Sequence, residues 1–193
     1  RTKDRPLACG LISVKLALAY TAILCAIAFF ILIQFNKLTI ILGFASMVLA
    51  FSYPFMKRIT YWPQLFLGLT FNWGIVMAWT SMTNSISVEI ITLYVAAIFW
   101  TLGYDTIYGV QDVADDEIIG IKSTSVKFKN NIKLFVSFFY FLSSFLIVTL
   151  FYDQLSLNSS TLLIIIFVLS LIYQLIKFKE ESPEKCLYIF KYL

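Results

Sequence analysis

The stretch that decides the fold is VEIITLYVAAIFWTLGYDTIYGVQDVADDEIIGIKST, residues 88–124. An apolar run from 88 to 103 predicts a helix in a lipid bilayer, which needs about 20 such residues. The run is followed by five acidic residues within thirteen positions, Asp105, Asp112, Asp115, Asp116 and Glu117. Carboxylates attached to a membrane helix are costly if they face lipid, so they usually face a cavity and take part in function.

The rest of the chain repeats this apolar pattern. Hydrophobic residues make up 60% of the chain and charged residues only 13%, which excludes an ordinary soluble domain, where about a quarter of residues are charged. Six apolar segments approach the length of a membrane span: 14–33, 38–55, 62–82, 88–103, 132–152 and 161–178. They do not alternate as barrel strands do. We therefore expect an all-α fold, a polytopic transmembrane helical bundle.

The basic residues predict how this bundle is oriented. Of the 15 Lys and Arg residues, all but Lys37 fall in tracts on one side of the predicted bundle. By the positive-inside rule that side is cytoplasmic. The alternation from side to side also supports the count of six helices, because a missed or invented helix would disturb it.

The spacing of the acidic residues indicates a metal site. At about 100° per residue, a continuous helix places Asp105, Tyr108, Asp112 and Asp116 on one face, with Asp115 at its edge. Like charges stacked on a helix destabilise it unless a cation compensates them. Carboxylate oxygens suit Mg²⁺, which binds one or two protein carboxylates together with phosphate oxygens and water. The alternative is a solvated acidic loop that only closes the helix.

A basic sequence follows the acidic one at once. We expect GIKST, residues 120–124, to offer backbone N–H groups, hydroxyls and the Lys122 ammonium to an anion. Acidic residues for a metal beside basic residues for a phosphate indicate diphosphate chemistry. Residues 104–131 are therefore predicted to be a cytoplasmic catalytic segment within a single transmembrane domain, 1–193.

Two further polar sequences lie on the same predicted side. RTKDRPLACG opens the chain and contains Arg5. YPFMKR, residues 53–58, ends the second apolar segment; Pro54 is expected to weaken the helix there, which leaves Tyr53, Lys57 and Arg58 near the interface. The alternative for the two basic residues is simple snorkelling and topology.

Asn72 lies within the third apolar segment. A polar amide at this depth either hydrogen-bonds a neighbouring helix or contacts a substrate. Ordinary packing is the simpler of the two interpretations.

These sequences together resemble the UbiA superfamily of intramembrane prenyltransferases. YDTIYGVQDVADDEIIGIKST, residues 104–124, is similar to the family's second aspartate-rich motif, D-x-x-Y-x-x-x-D-x-x-x-D, with Asp105, Tyr108, Asp112 and Asp116 in its positions. YPFMKR followed by WPQLFLG resembles the segment after the fourth helix in the 4-hydroxybenzoate polyprenyltransferase branch. RTKDRPLACG is similar to the sequence that follows the family's first aspartate-rich motif. The three motifs cover most of residues 1–128.

The resemblance also implies what the whole protein contains. The family has nine helices and two aspartate-rich motifs, and the six segments here correspond to its third through eighth helices. The first motif, N-D-x-x-D-x-x-x-D, is not in this sequence, which begins at Arg1 rather than Met. We therefore expect a fragment of a longer prenyltransferase, with half of the metal site supplied from upstream.

For the complete enzyme, the resemblance implies Mg²⁺-dependent transfer of a polyprenyl group from polyprenyl diphosphate to the ring of 4-hydroxybenzoate, in ubiquinone biosynthesis. It implies a bacterial cytoplasmic (inner) membrane as the location. Asp105, Asp112 and Asp116 are the implied metal ligands, with Tyr108 in support, and Arg58 is the implied partner of the benzoate carboxylate. The implied substrate contacts are Arg5, Tyr53, Lys57, Arg58, Asn72 and Lys122.

Two other interpretations stay open: a cation-coupled transporter that uses the same carboxylates as an ion relay, and an inactive fragment of the prenyltransferase. Against a transporter, the acidic residues cluster at one interface rather than near the midplane, and the sequence has no internal repeat of the kind many transporters show. The expected partners are the two substrates and the lipid bilayer, with no nucleic acid and no obligate protein partner.

Overall fold

The computed structural model describes residues 5–178. Within that range the elements are all helical, and two 3-10 turns lie at Val110–Asp112 and Tyr152–Gln154. The α-helices are α1 (Val14–Leu32), α2 (Lys37–Ile59), α3 (Pro63–Phe71), α4 (Trp73–Thr83), α5 (Val88–Gly109), α6 (Val113–Ile119), α7 (Thr124–Lys127), α8 (Ile132–Leu150) and α9 (Ser159–Lys177).

Six helical stretches in the described range are long and apolar enough to cross a membrane. They are α1, α2, the pair α3–α4, the stretch from α5 through α6, α8, and α9. The predicted all-α transmembrane bundle and its six spans are confirmed.

Polar side chains at the loops determine where several helices begin. The side chain of Asn36 accepts a hydrogen bond from the N–H of Thr39 (3.0 Å) at the start of α2, and Ser13 and Asn158 cap α1 and α9 in the same way. These caps satisfy backbone N–H groups that the first helical turn leaves unpaired. Pro63 is the first residue of α3, where its missing N–H has no cost.

Helix α5 lies at the centre of the bundle. Its residues Ala96, Leu102 and Ile107 are 1% exposed or less, and they pack with buried residues of α8 and α9 such as Val136 and Leu171. Helix α1, in contrast, buries none of its residues. Apart from Lys15 and Thr21 near its start, its exposed residues are mainly apolar, as expected of a helix that contacts lipid.

Hydrogen bonds between loops show that successive spans run in opposite directions. Asn36, before α2, donates to the carbonyl of Thr80 near the end of α4 (2.7 Å). At the other end of the bundle, the N–H of Lys122 donates to the carbonyl of Lys57 near the end of α2 (2.9 Å). We call this second end, formed by the C-terminal ends of α2 and α5 together with α6 and residues 120–125, the acidic end.

Three details of the helices differ from the predicted apolar segments. Helix α2 continues past Pro54 to Ile59. The proline lacks one N–H donor, but the turn after it is regular, and the N–H of Thr60 donates to the carbonyl of Met56 (2.9 Å). The third span is two helices that meet at Asn72. The fourth continues beyond residue 103 to Gly109 before the 3-10 turn.

The basic residues Arg1, Lys3, Lys179, Lys185 and Lys191, which entered the orientation prediction, lie outside the described residues. Arg5 precedes α1, and Lys15 lies in its first turn. The other described basic residues apart from Lys37 lie in the loops or near the ends of helices at the acidic end, among them Lys57 and Arg58 in α2, Lys127 in α7, and Lys177 in α9.

Candidate active site

Asp105 lies where two of the sequence motifs come close together in the structure. It is partly buried in the last two turns of α5, and its carboxylate lies within electrostatic range of the Lys57 ammonium and the Tyr53 hydroxyl, both on α2. The structure therefore brings YPFMKR and the aspartate-rich segment to one place. Tyr108, also partly buried, is one turn further along α5.

Asp112 and Asp116 follow Asp105 across a break in the helix. Asp112 is the last residue of the 3-10 turn Val110–Asp112 and lies immediately before α6. Asp116 lies one turn later, within α6. The continuous helix predicted from Asp105 to Asp116 is therefore interrupted at the 3-10 turn.

The other two acidic residues are exposed. Glu117 forms an ion pair with the Lys129 ammonium, and both side chains are exposed. Asp115 is exposed at the edge of α6. Helix α6 then ends at Gly120, which has φ +73°, a left-handed conformation that glycine adopts without steric cost.

Residues 121–125 bind protein groups instead of presenting donors to an anion. The N–H of Ile121 donates to the backbone carbonyl of Asp116 (2.8 Å), and that of Lys122 donates to the backbone carbonyl of Lys57 (2.9 Å). The N–H of Thr124 donates to the side-chain oxygen of Gln64 (3.0 Å). The expectation that these N–H groups bind an anion is wrong, because the loop uses them to connect α6 with α2 and α3.

The hydroxyls of this loop are also used within the protein. The Ser123 hydroxyl accepts from the N–H of Val126 (3.1 Å), the Thr124 hydroxyl bonds that of Thr106 (2.7 Å), and the Ser125 hydroxyl donates to the carbonyl of Thr106 (2.7 Å). All three loop residues are buried. The expectation that hydroxyls of GIKST bind an anion is likewise wrong.

The ammonium of Lys122 lies at the end of α2. It donates to the carbonyl of Ile59 (3.2 Å) and lies 5.6 Å from the centre of the Tyr61 ring. A cation at a helix C-terminus interacts favourably with the helix dipole. Lys57 thus places one positive charge within electrostatic range of Asp105, and Lys122 places a second one at the C-terminal end of α2.

The remaining predicted contacts are more scattered. Arg58 is exposed in the last turn of α2, and Arg5 is exposed in the turn before α1. Asn72 is buried between the spans, where its side-chain nitrogen donates to the Thr101 hydroxyl (2.8 Å) and the Gly68 carbonyl (2.9 Å). Asn72 therefore forms the helix-to-helix hydrogen bond that was one of its two interpretations, and a role in substrate binding stays a prediction.

Sequence reasoning missed the residues that hold the acidic end together: Gln64, Thr106, Gly109 and Ser125. A β-carbon added at Gly109 would collide with the Ser125 hydroxyl, so only glycine permits the loop to lie this close to α5. The one sequence signal was a glutamine directly after a proline at the start of an apolar helix, in WPQLFLG.

The carboxylates fit a divalent cation that is shared with an anionic ligand. Within residues 5–178, no three His, Cys, Asp or Glu side chains form a group able to hold an ion by themselves. The predicted ligand set Asp105, Asp112 and Asp116 is therefore not gathered into one cluster, since the 3-10 turn separates its members. Asp112 and Asp116 still offer hard oxygen ligands, and Mg²⁺ commonly uses only one or two protein carboxylates with phosphate oxygens and water.

These features define a class: a polytopic helical membrane protein with adjacent carboxylates and ammonium groups at one end of its bundle. The sequence model of the UbiA prenyltransferase family matches residues 1–193. The chain belongs to the UbiA prenyltransferase family. Prenyltransferases of this family generally use a divalent metal, a requirement that the carboxylates of α6 suit.

The chain is similar to curated relatives that are considerably longer. It is 45% identical over 140 residues to "4-hydroxybenzoate polyprenyltransferase, mitochondrial" of Arabidopsis thaliana, which covers 72% of this chain and 34% of that protein. It is 47% identical over 136 residues to "4-hydroxybenzoate octaprenyltransferase" of Vibrio atlanticus (strain LGP32), covering 70% of this chain and 48% of that protein. The chain thus spans about a third to a half of the length of these relatives.

A solved structure shares the fold. The apo structure of a UbiA homolog from Aeropyrum pernix K1 superposes with a TM-score of 0.82 at 24% sequence identity, covering 99% of this chain and 72% of that one. At this identity the likeness supports the fold alone.

Proposed function

We propose that the protein containing this chain transfers a polyprenyl group from polyprenyl diphosphate to a ring carbon of 4-hydroxybenzoate, a step towards ubiquinone, with Mg²⁺ as its divalent cation. The C–O bond to the diphosphate breaks, a C–C bond to the ring forms, and the ring carbon loses its proton. The observation that carries the proposal is that the Asp105 carboxylate lies within electrostatic range of Lys57 on α2, whose carbonyl also accepts a hydrogen bond from the N–H of Lys122. The names of the relatives at 45–47% identity support it.

Asp112 and Asp116 are the residues that would hold Mg²⁺ against the diphosphate. An ion bound there supplies positive charge to the leaving group. Lys57 and Lys122 add positive charge from the protein on the α2 side. Asp105 holds the Lys57 ammonium at the acidic end through their electrostatic attraction, and Tyr108 supports the carboxylates from the last turn of α5.

Arg58 is the proposed partner of the benzoate carboxylate. Its guanidinium is exposed in the last turn of α2, next to Lys57, and an Arg fork matches a carboxylate with two parallel hydrogen bonds. Arg5, Tyr53 and Asn72 complete the proposed substrate contacts. The polyprenyl tail stays in the apolar part of the bundle, where transfer from water is favourable.

The acidic end is proposed to face the cytoplasm across a bacterial inner membrane. The support is the distribution of basic residues, because the sequence pattern predicts that all but Lys37 of the 15 Lys and Arg residues lie on the same side.

The proposal is tested with radiolabelled polyprenyl diphosphate and 4-hydroxybenzoate in membranes that contain the full-length protein. Prenylated 4-hydroxybenzoate should form, stop when EDTA is added, and return with excess Mg²⁺. Label on a different phenol or naphthoate, but not on 4-hydroxybenzoate, would refute the acceptor. Cation flux through liposomes without any transfer would support a transporter instead.

A further inference from the structure

Helix α6, which bears Asp116 and follows Asp112, is not held in place by packing. It buries none of its seven residues. Its side-chain ion pair, Glu117 with Lys129, is exposed, and exposed ion pairs contribute little to stability. Its two ends, the 3-10 turn from α5 on one side and the loop 121–125 on the other, are the places where described backbone hydrogen bonds connect α6 to the rest of the bundle.

The loop end is fixed at Thr124 by a defined set of buried hydrogen bonds. The Thr106 hydroxyl donates its one proton to the carbonyl of Leu102 (2.6 Å), so in its contact with Thr124 (2.7 Å) the Thr124 hydroxyl must be the donor. That contact fixes the side chain of Thr124 on α5. Its backbone N–H then points to α3, where the side-chain oxygen of Gln64 accepts it at 3.0 Å.

Gln64 is the only α3 residue among the described hydrogen-bond partners of the loop 121–125. Its side chain is 4% exposed and lies next to Gly109, at the point where the loop approaches α5 most closely. A buried N–H without an acceptor is costly, by about 1–3 kcal/mol. Loss of the Gln64 oxygen would therefore favour a shifted loop in which the N–H of Thr124 reaches water.

We propose that Gln64 is a positioning residue for the transfer reaction: it holds the loop after α6 and so sets where Asp112 and Asp116 lie relative to Asp105. The proposal rests on the proposed function for its kinetic consequence only. Its structural part, that Gln64 keeps α6 in place, can be measured without turnover.

The chain offers a matched control in Gln174. It is also 4% exposed, and its side-chain oxygen also accepts one hydrogen bond, from the Tyr140 hydroxyl (2.7 Å), but between α8 and α9. Gln64→Met and Gln174→Met are therefore the same substitution at equal burial, and only the first affects the loop.

The first measurement is hydrogen–deuterium exchange of backbone amides in the full-length protein in detergent. Gln64→Met should raise the exchange rate of amides within 113–126 by about tenfold, as expected for the loss of one buried hydrogen bond, and Gln174→Met should leave that segment at the wild-type rate. Equal exchange in Gln64→Met and wild type, or in both methionine variants, would overturn the proposal.

The second measurement separates positioning from general destabilisation. Residues that orient metal ligands typically change metal affinity by about 10- to 100-fold when mutated. Gln64→Met should raise the Mg²⁺ concentration for half-maximal transfer and the KM for polyprenyl diphosphate by at least tenfold, whereas Gln174→Met should not. If Gln64→Met alters amide exchange but leaves the Mg²⁺ concentration for half-maximal transfer and the KM unchanged, the kinetic part of the proposal is refuted. Absence of transfer in the wild type would refute the proposed function, while the exchange result would still decide whether Gln64 holds α6.

Discussion

At the scale of single residues, the acidic end depends on how closely the loop 121–125 approaches α5. That approach is possible because Gly109 on α5 has no side chain and faces Ser125 of the loop. At the same place the Ser125 hydroxyl donates to the carbonyl of Thr106. None of the three is proposed to touch a substrate. They nevertheless hold the loop that follows α6 against α5.

Gly109→Ala should destabilise the protein by about 1–3 kcal/mol, the usual cost of overpacking, because the new β-carbon meets the Ser125 hydroxyl. The measurement is thermal unfolding of the purified protein in detergent. Gly74→Ala is the control: nothing lies within 4 Å of its added β-carbon, so the substitution should stabilise helix α4 by up to about 1 kcal/mol.

The double variant Gly109→Ala/Ser125→Ala tests the cause of that effect. With the hydroxyl removed, Gly109→Ala should cost less than it does in the wild type, since the collision is gone. An equal cost in the two backgrounds would show that the contact with Ser125 is not what requires glycine here.

The sequence indicates the carboxylates of the proposed site more readily than the residues that hold them in place. Asp105, Tyr108, Asp112 and Asp116 form a spaced pattern within twelve positions, so a local pattern is enough to find them. The role of Gln64 depends on a backbone N–H sixty positions away at Thr124. Nothing in the local sequence records such a partner, and a glutamine in an apolar helix has many possible roles.

At the scale of helices, apolar length was sufficient to predict the six spans, because a bilayer imposes that length directly. It was not sufficient for the interruptions. A 3-10 turn differs from an α-helix by a shift of one residue in its hydrogen bonds, so the break at Val110–Asp112 has no clear sequence signal. The opposite error occurred at Pro54, where the neighbouring turns keep α2 helical to Ile59.

The alternating direction of the spans leads to a prediction about orientation. Asn130 follows α7 at the acidic end, and Ser85 lies between α4 and α5 at the opposite end; both are exposed. In a bacterial host, with native cysteines replaced by serine, a membrane-impermeant thiol reagent added to spheroplasts should label Ser85→Cys and not Asn130→Cys. After lysis, both should react.

The reverse labelling pattern would place the acidic end outside the cytoplasm and contradict the orientation that the basic residues predict. Labelling of both variants in intact spheroplasts would contradict the six-span topology itself.

At the scale of the whole molecule, the family and the fold are established, while the activity is a proposal. The chain spans 34–48% of the curated relatives described above and 72% of the Aeropyrum pernix structure. In residues 5–178, no three potential metal ligands form one group. The site described here therefore accounts for one set of carboxylates.

The central claim is that Asp112 and Asp116 hold the cation that the transfer requires. The most direct test measures transfer of label from polyprenyl diphosphate to 4-hydroxybenzoate by the full-length protein carrying Asp112→Ala or Asp116→Ala. The control is Asp153→Ala, an exposed aspartate in the 3-10 turn after α8, at the opposite end of the bundle. Mg²⁺-dependent transfer should be abolished in each of the first two variants and unchanged in the control. Wild-type transfer in either Asp112→Ala or Asp116→Ala would contradict the assignment of that residue.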